Sequence, residues 1–278
     1  VTVEQEMVKA EYSIRNNNGF IFLPNWVRQE LLNLHVPSQT ELFTQSISQE
    51  FPISAKVINH EGIWRYSKAG AAMAAGTQGF LKGNYFQVPG KAGNSVNSGF
   101  EGAPYAAVAA EDTMISIADT AAVKNEYEGA LLVVYNDTNS DYEQHRIIGN
   151  DATNATYTKL YIAPPGFKRA LTTAMGITIY RNEYMGIRTL TGGYMSALGY
   201  ARIPITSAYF FWLFTAGRIS GITGASTWPG QTQYYRDVYA NTDGSLIGYT
   251  AGYQRVGYLL GRTASDYGDN CIMLQLDQ

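Results

Sequence analysis

The sequence predicts a mainly β protein, a sandwich- or barrel-like body preceded by an N-terminal arm with short helices. Three observations carry that expectation. Turn formers are abundant, with 28 glycines in 278 residues. Short apolar runs, alternating at 113–118 and continuous at 130–135, recur between polar turns as strands do. Helical spacing is confined to one stretch near the start, where Val27, Leu31 and Leu34 fall on one face.

In chain order, Gly19-Phe20-Ile21-Phe22-Leu23 is a short strand-like run, and Pro24-Asn25-Trp26-Val27 opens the helix that Pro37 ends. Ser38-Gln39-Thr40-Glu41 has the form of a capping box ahead of Leu42 and Phe43. These pieces are too short to be stable alone. Residues 1–59 therefore read as an arm whose Phe20, Phe22 and Trp26 bury against another surface, in this chain or a neighbouring subunit. Residues 60–278 read as the β-rich body, with a break between two subdomains expected near 165–205. Strands are expected at 63–66, 113–118, 130–135, 142–148, 159–163, 176–180, 209–215, 256–261 and 272–276, and residues 82–104 read as a turn-rich loop.

Composition narrows the function. Charged residues make up 15% and tyrosines number 21, where an ordinary domain is about a quarter charged. Such a surface takes its polarity from Tyr, Thr, Ser and Asn and is cheap to desolvate, which suits packing against other protein. A net charge of −3 argues against a nucleic-acid partner, which needs a basic stripe. The longest apolar run, residues 208–214, is too short to span a bilayer, so no membrane partner is expected. No basic, apolar leader opens the chain, so synthesis in the cytosol is expected. The single Cys271 excludes an internal disulfide and reads as a buried free thiol.

Catalytic and metal chemistry find little support. Asp137-Thr138-Asn139-Ser140-Asp141 matches the start of a calcium loop but continues with Tyr142 where Gly is needed, so a hairpin turn is the expectation. Glu143 and His145 share a strand face without a second histidine nearby, and Ser196 lacks the spacing of a nucleophile elbow. Lys91 sits in Pro-Gly-Lys-Ala-Gly, which lacks the hydroxyl residue of a phosphate loop. The chain is expected to be no enzyme, with no cofactor and no metal. The aromatic stripe Trp228, Tyr234, Tyr235, Tyr239, Tyr249 and Tyr253 reads as subunit contact, with sugar stacking as the alternative.

Four stretches together resemble tailed-bacteriophage virion proteins of the head decoration or cement type. They are Gly62-Ile63-Trp64-Arg65-Tyr66 running through Ser67 and Lys68 into the Ala/Gly segment 69–76, residues 125–134 continuing through the turn to 142–147, residues 208–217, and residues 256–263 closing on 272–277. The resemblance implies a virion location on the capsid surface, the major capsid protein as partner and a homo-oligomer, a trimer being favoured. Phe20, Phe22, Trp26, Trp228, Tyr234 and Tyr235 are the expected interface residues. The alternative is a spike or tail component that binds host carbohydrate through the Tyr-rich loop.

Overall fold

A computed structural model describes residues 13–23, 35–73, 83–86, 99–136, 141–189, 196–220, 236–240, 246–261 and 271–277. The protein is mainly β, with antiparallel sheets, and divides into two units. Among the described residues, one unit comprises those of 99–182 and the other those of 13–23, 35–86 and 183–277. The first is thus inserted into the chain of the second.

The larger unit begins with β1 (Ser13–Asn16), β2 (Gly19–Phe22), the one-turn helix α1 (Gln39–Leu42), β3 (Gln45–Ser46), β4 (Lys56–Ile58), β5 (Gly62–Ala69) and β6 (Gly83–Phe86). The inserted unit holds β7 (Phe100–Gly102), β8 (Met114–Ile117), β9 (Leu131–Asn136), β10 (Asp141–Asn150), β11 (Thr158–Ile162) and β12 (Gly176–Tyr180). The chain then returns to the larger unit for β13 (Met185–Thr189), β14 (Ser196–Ala201), β15 (Phe210–Ile219), β16 (Asp237–Ala240), β17 (Leu246–Ile247), β18 (Arg255–Gly261) and β19 (Cys271–Gln275).

In the larger unit, β15 lies antiparallel to β5 along most of its length, from Phe210 opposite Lys68 to Gly217 opposite Gly62. From this pair the ladder runs through β13, β6 and β14 and returns to β15. That circuit curls the sheet into a half-barrel. Side chains of 210–215 are all buried, as an uninterrupted apolar run predicts for a strand covered on both faces. Trp212 packs edge-on against Phe51 and Tyr66, and Trp64 stands edge-on between Phe43 and Phe214.

The described part of residues 1–59 meets that aromatic layer, Phe43 against Trp64 and Phe51 against Trp212. Among the described residues of this segment, β2 pairs with β4 and β4 with β5, so they extend the half-barrel sheet. Ile21, Val36, Leu42, Phe51, Ile53, Ala55 and Val57 are all buried. The apolar partners that the segment lacks locally are supplied by β5 and β15 of the same chain. Of the expected helices, α1 is present with its capping box, Ser38 accepting from the Glu41 amide and Glu41 from the Ser38 amide. The stretch expected as the longer helix, residues 24–34 with Trp26, lies outside the described residues. Cys271 is half-buried rather than buried, because the alternation of β19 turns Ile272 and Leu274 inward instead.

An ion-pair knot ties the end of the sheet to its centre. Arg65 grips Asp277 with both arms of its guanidinium, Nε to Oδ2 at 2.5 Å and Nη2 to Oδ1 at 3.0 Å. Lys56 Nζ adds a contact at 3.1 Å and the Thr215 hydroxyl donates at 3.3 Å. Burial pushes the Asp277 carboxyl up, but the hydrogen bonds and charges of Arg65 and Lys56 outweigh it and hold the group below its ordinary range. A carboxylate with a lowered value stabilises the fold above the unfolded value of about 3.9, and that contribution is lost as pH falls through the folded value. Asp277→Asn is expected to cost about 2–3 kcal/mol at neutral pH. This is short of the ~3–5 of a fully buried pair, because both cations keep part of their hydration. Urea melts at stepped pH are expected to show the gap between wild type and variant closing below pH ~4. A gap that persists unchanged into acid would contradict the assignment.

The inserted unit is a six-stranded sheet in the order β7-β12-β9-β10-β11-β8. Its core gathers Phe100, Ile115, Ile117, Leu132, Val134, Ile147, Leu160, Ile162, Phe167, Leu171, Ile177 and Ile179. Strict alternation in β9 and β12 sends the intervening residues to the opposite face.

Candidate functional site

That opposite face is the candidate site. In β9 the outward residues are Leu131, Val133 and Tyr135, and in β12 they are Gly176, Thr178 and Tyr180. The β9–β10 register places Tyr142 opposite Tyr135, Gln144 opposite Val133 and Arg146 opposite Leu131. The β9–β12 register places Gly176 opposite Tyr135, Thr178 opposite Val133 and Tyr180 opposite Leu131. Three strands thus present rows of aromatic, aliphatic and uncharged polar side chains, with Arg146 at one margin.

The aromatic members are open to solvent: Tyr142 is 67% exposed, Tyr180 44% and Tyr135 37%. Tyr135 owes its lower value to Gly176, for a Cβ built on that glycine would collide with the Tyr135 ring. The ring lies over bare backbone and covers it, so Tyr135 is held in place before any partner arrives. Arg146 is anchored as well, its Nη1 donating to the Gly129 carbonyl at 2.7 Å. The face offers preset rings that lose little side-chain freedom on docking and polar groups that are inexpensive to desolvate.

The charged pair of β10 has a different place. Glu143 and His145 lie opposite Val134 and Leu132, on the core side of the sheet. His145 Nε2 is 3.0 Å from Glu143 Oε2, the Lys168 amide donates to the same oxygen at 2.9 Å, and Arg169 pairs with Oε1 at 3.1 Å. His145 also stands edge-on to Phe167. This is a buried carboxylate paired with its neighbours, which fixes the loop after β11 onto the sheet. A second knot joins Tyr127, whose hydroxyl donates to Asp119, with Arg181 over the Tyr127 ring. Burial, then the bonded Asp119, pushes the Tyr127 hydroxyl far up, so it stays protonated as a donor. Among the described residues no group of three or more His, Cys, Asp or Glu side chains could hold a metal ion.

Of the residues expected at an interface, Phe20 and Phe22 are described. Alternation in β2 turns Ile21 inward and both phenylalanines outward, where they stack with centroids 6.4 Å apart and Phe20 is 39% exposed. Arg15 of the neighbouring β1 lies over the Phe20 ring. Trp26, Trp228, Tyr234 and Tyr235 lie outside the described residues, as do the 137–140 turn and Lys91. Ser196 is an exposed strand residue of β14. Tyr135, Tyr142 and Tyr180 were not singled out by sequence reasoning. Alternation about the β9–β10 turn could have found the first two, since the hairpin fixes their register. Compared with known protein families, with curated proteins and with solved structures, the chain matches none.

Proposed function

We propose that this chain is a structural protein of a tailed-phage virion that decorates or cements the head by binding the major capsid protein. The observation that supports it best is the tyrosine-bearing outer face of the six-stranded sheet. Many copies on a closed lattice need only modest contacts each, since avidity multiplies them. Flat, weakly charged, tyrosine-rich sheet surfaces supply such contacts, with aromatic side chains as anchors. The outward phenylalanine pair of β2 offers a further patch of the same chemistry. A homotrimer on the capsid surface is the arrangement the reading favours.

A second reading, a spike or tail component that binds host carbohydrate, has one observation in its favour. Tyr239 and Tyr249 form an edge-to-face pair with centroids 5.5 Å apart, and Tyr249 is 66% exposed, so a ring is available for stacking on a sugar.

Cosedimentation with undecorated heads, run beside a glycan array, separates the two. Capsid binding is expected to weaken by roughly tenfold or more when Tyr142 and Tyr180 are both changed to Ser, the usual scale for losing an aromatic anchor. Melting temperature is expected to stay within a degree or two of wild type, as surface changes cost about 0.5 kcal/mol or less. Binding of the double variant at wild-type strength, or glycan capture without capsid binding, would overturn the first reading.

A further inference from the structure

The outer face of the six-stranded sheet is complementary to itself. β10, β9 and β12 lay three rows across it: Tyr142–Tyr135–Gly176, Gln144–Val133–Thr178 and Arg146–Leu131–Tyr180. All nine positions lie on the side of the sheet away from the core, and Val133 is the middle of the middle row. Arg146 is the one charged residue among them and stands at a corner.

Two identical faces close on each other only about a two-fold axis lying between them, so that wherever residue i meets j, j meets i. Sheets packed face to face keep their strands nearly aligned. That leaves two axes, one along β9 and one across it, both through Val133. The axis along β9 sets Arg146 over the second copy's Tyr180, Gln144 over its Thr178 and Tyr142 over its Gly176. The axis across β9 sets Arg146 over the second copy's Tyr142, Tyr135 over its Leu131 and Tyr180 over its Gly176.

Both arrangements match in kind. The corner place of Arg146 keeps it off its own image, and each guanidinium meets an electron-rich ring, which attracts a cation. The Arg146 side chain is already held by its bond to the Gly129 carbonyl at 2.7 Å, so docking costs it little freedom. Gln144 meets a hydroxyl or an amide, either of which exchanges a hydrogen bond with it. At Gly176 the low point of the face is filled by the Tyr135 ring, so an incoming tyrosine lands ring against ring. Val133, apolar and half-buried, meets itself under both axes.

The shared area sets the strength. Three strands about 4.8 Å apart, each contributing five residues at about 3.4 Å, make a face roughly 15 Å square. That is well short of the ~800 Å² per partner of a stable complex. The pair is therefore weak, and it yields to a lattice on which many contacts add.

We infer that at high protein concentration this face pairs with the same face of a second copy, in a weak two-fold dimer whose place a capsid takes. The inference rests on reading the face as an interaction surface, and it adds a second occupant for it. The free chain thereby covers its own tyrosines where it is most crowded and releases them on dilution or on binding.

Sedimentation velocity of the full chain without heads, from about 1 µM to 1 mM, tests it. Wild type is expected to associate reversibly, with a dissociation constant on the order of 0.1 mM. Val133→Lys and Val133→Glu each put like charges on the axis and are expected to weaken association at least tenfold. An equimolar mixture of the two is expected to associate as well as wild type or better, because the opposite charges then meet. Melting curves check that the variants are folded. Where a Val133 variant melts early, Tyr142→Ser, at a side chain 67% exposed, is expected to show the same weakening. A wild type that does not associate as concentration rises, Val133 variants that associate as wild type does, or a mixture no better than its components would overturn the inference. With no heads present, such a result leaves the capsid reading standing. A chain that dimerises but does not sediment with heads would sink that reading alone.

Discussion

Deletion of residues 1–59 is expected to abolish cooperative folding of the half-barrel unit. The described part of that segment contributes β1, β2, β3 and β4 to the sheet and places Ile21, Leu42, Phe51, Ile53 and Val57 in its interior. At about 1.5–3 kcal/mol for each fully buried side chain, their loss is comparable with the whole ~5–15 kcal/mol by which a domain is stable. The truncation would also uncover Trp64, Tyr66 and Trp212, whose rings meet Phe43 and Phe51. Near-ultraviolet circular dichroism during a thermal melt reports that aromatic layer. Its signal and its transition are expected to vanish in the truncated chain. A truncated protein that melts with the same aromatic transition would restore the segment to the status of a detachable arm.

Trp64→Ala carries the largest effect expected of a single substitution. Trp64 is fully buried, 5.4 Å from the Phe43 ring and 4.8 Å from the Phe214 ring by centroids. Truncation of a buried tryptophan costs about 3–5 kcal/mol, because the surrounding rings cannot collapse into the space. The indole N–H has no hydrogen-bond partner among the described residues, so Trp64→Phe forfeits volume and little else. Its cost is expected to be about 1–2 kcal/mol. Denaturant melts of the two variants give the comparison. Equal losses for Phe and Ala would show that the indole nitrogen, rather than packing, is what the site requires.

Local patterning made much of this fold legible in the sequence. The strand-like run at 19–23, the apolar run at 210–214 and the capping box at Ser38 each depend on residues a few places apart, and each is where it was expected. What escaped depends on pairing across the chain. Trp64 meets Phe214, and Ile63 lies opposite Ala216, through a β5–β15 ladder that no local pattern encodes. Because those partners lie far along the chain, residues 1–59 looked short of apolar contacts. The site divides in the same way. Tyr135 and Tyr142 are neighbours through a hairpin and could have been paired from alternation alone. Tyr180 joins them only because β12 returns beside β9, and Gly176 reads as a seat for Tyr135 only once that register is known.

The surface proposed to meet the capsid is the tyrosine face of the inserted unit. Oxidative footprinting of tyrosines, read by mass spectrometry with the protein free and then bound to undecorated heads, tests it most directly. Tyr142 and Tyr180, exposed in the free chain, are expected to lose most of their reactivity on binding, while Tyr249 of the other unit keeps its own. Capsid-bound protein in which Tyr142 and Tyr180 react as they do in solution would contradict the claim.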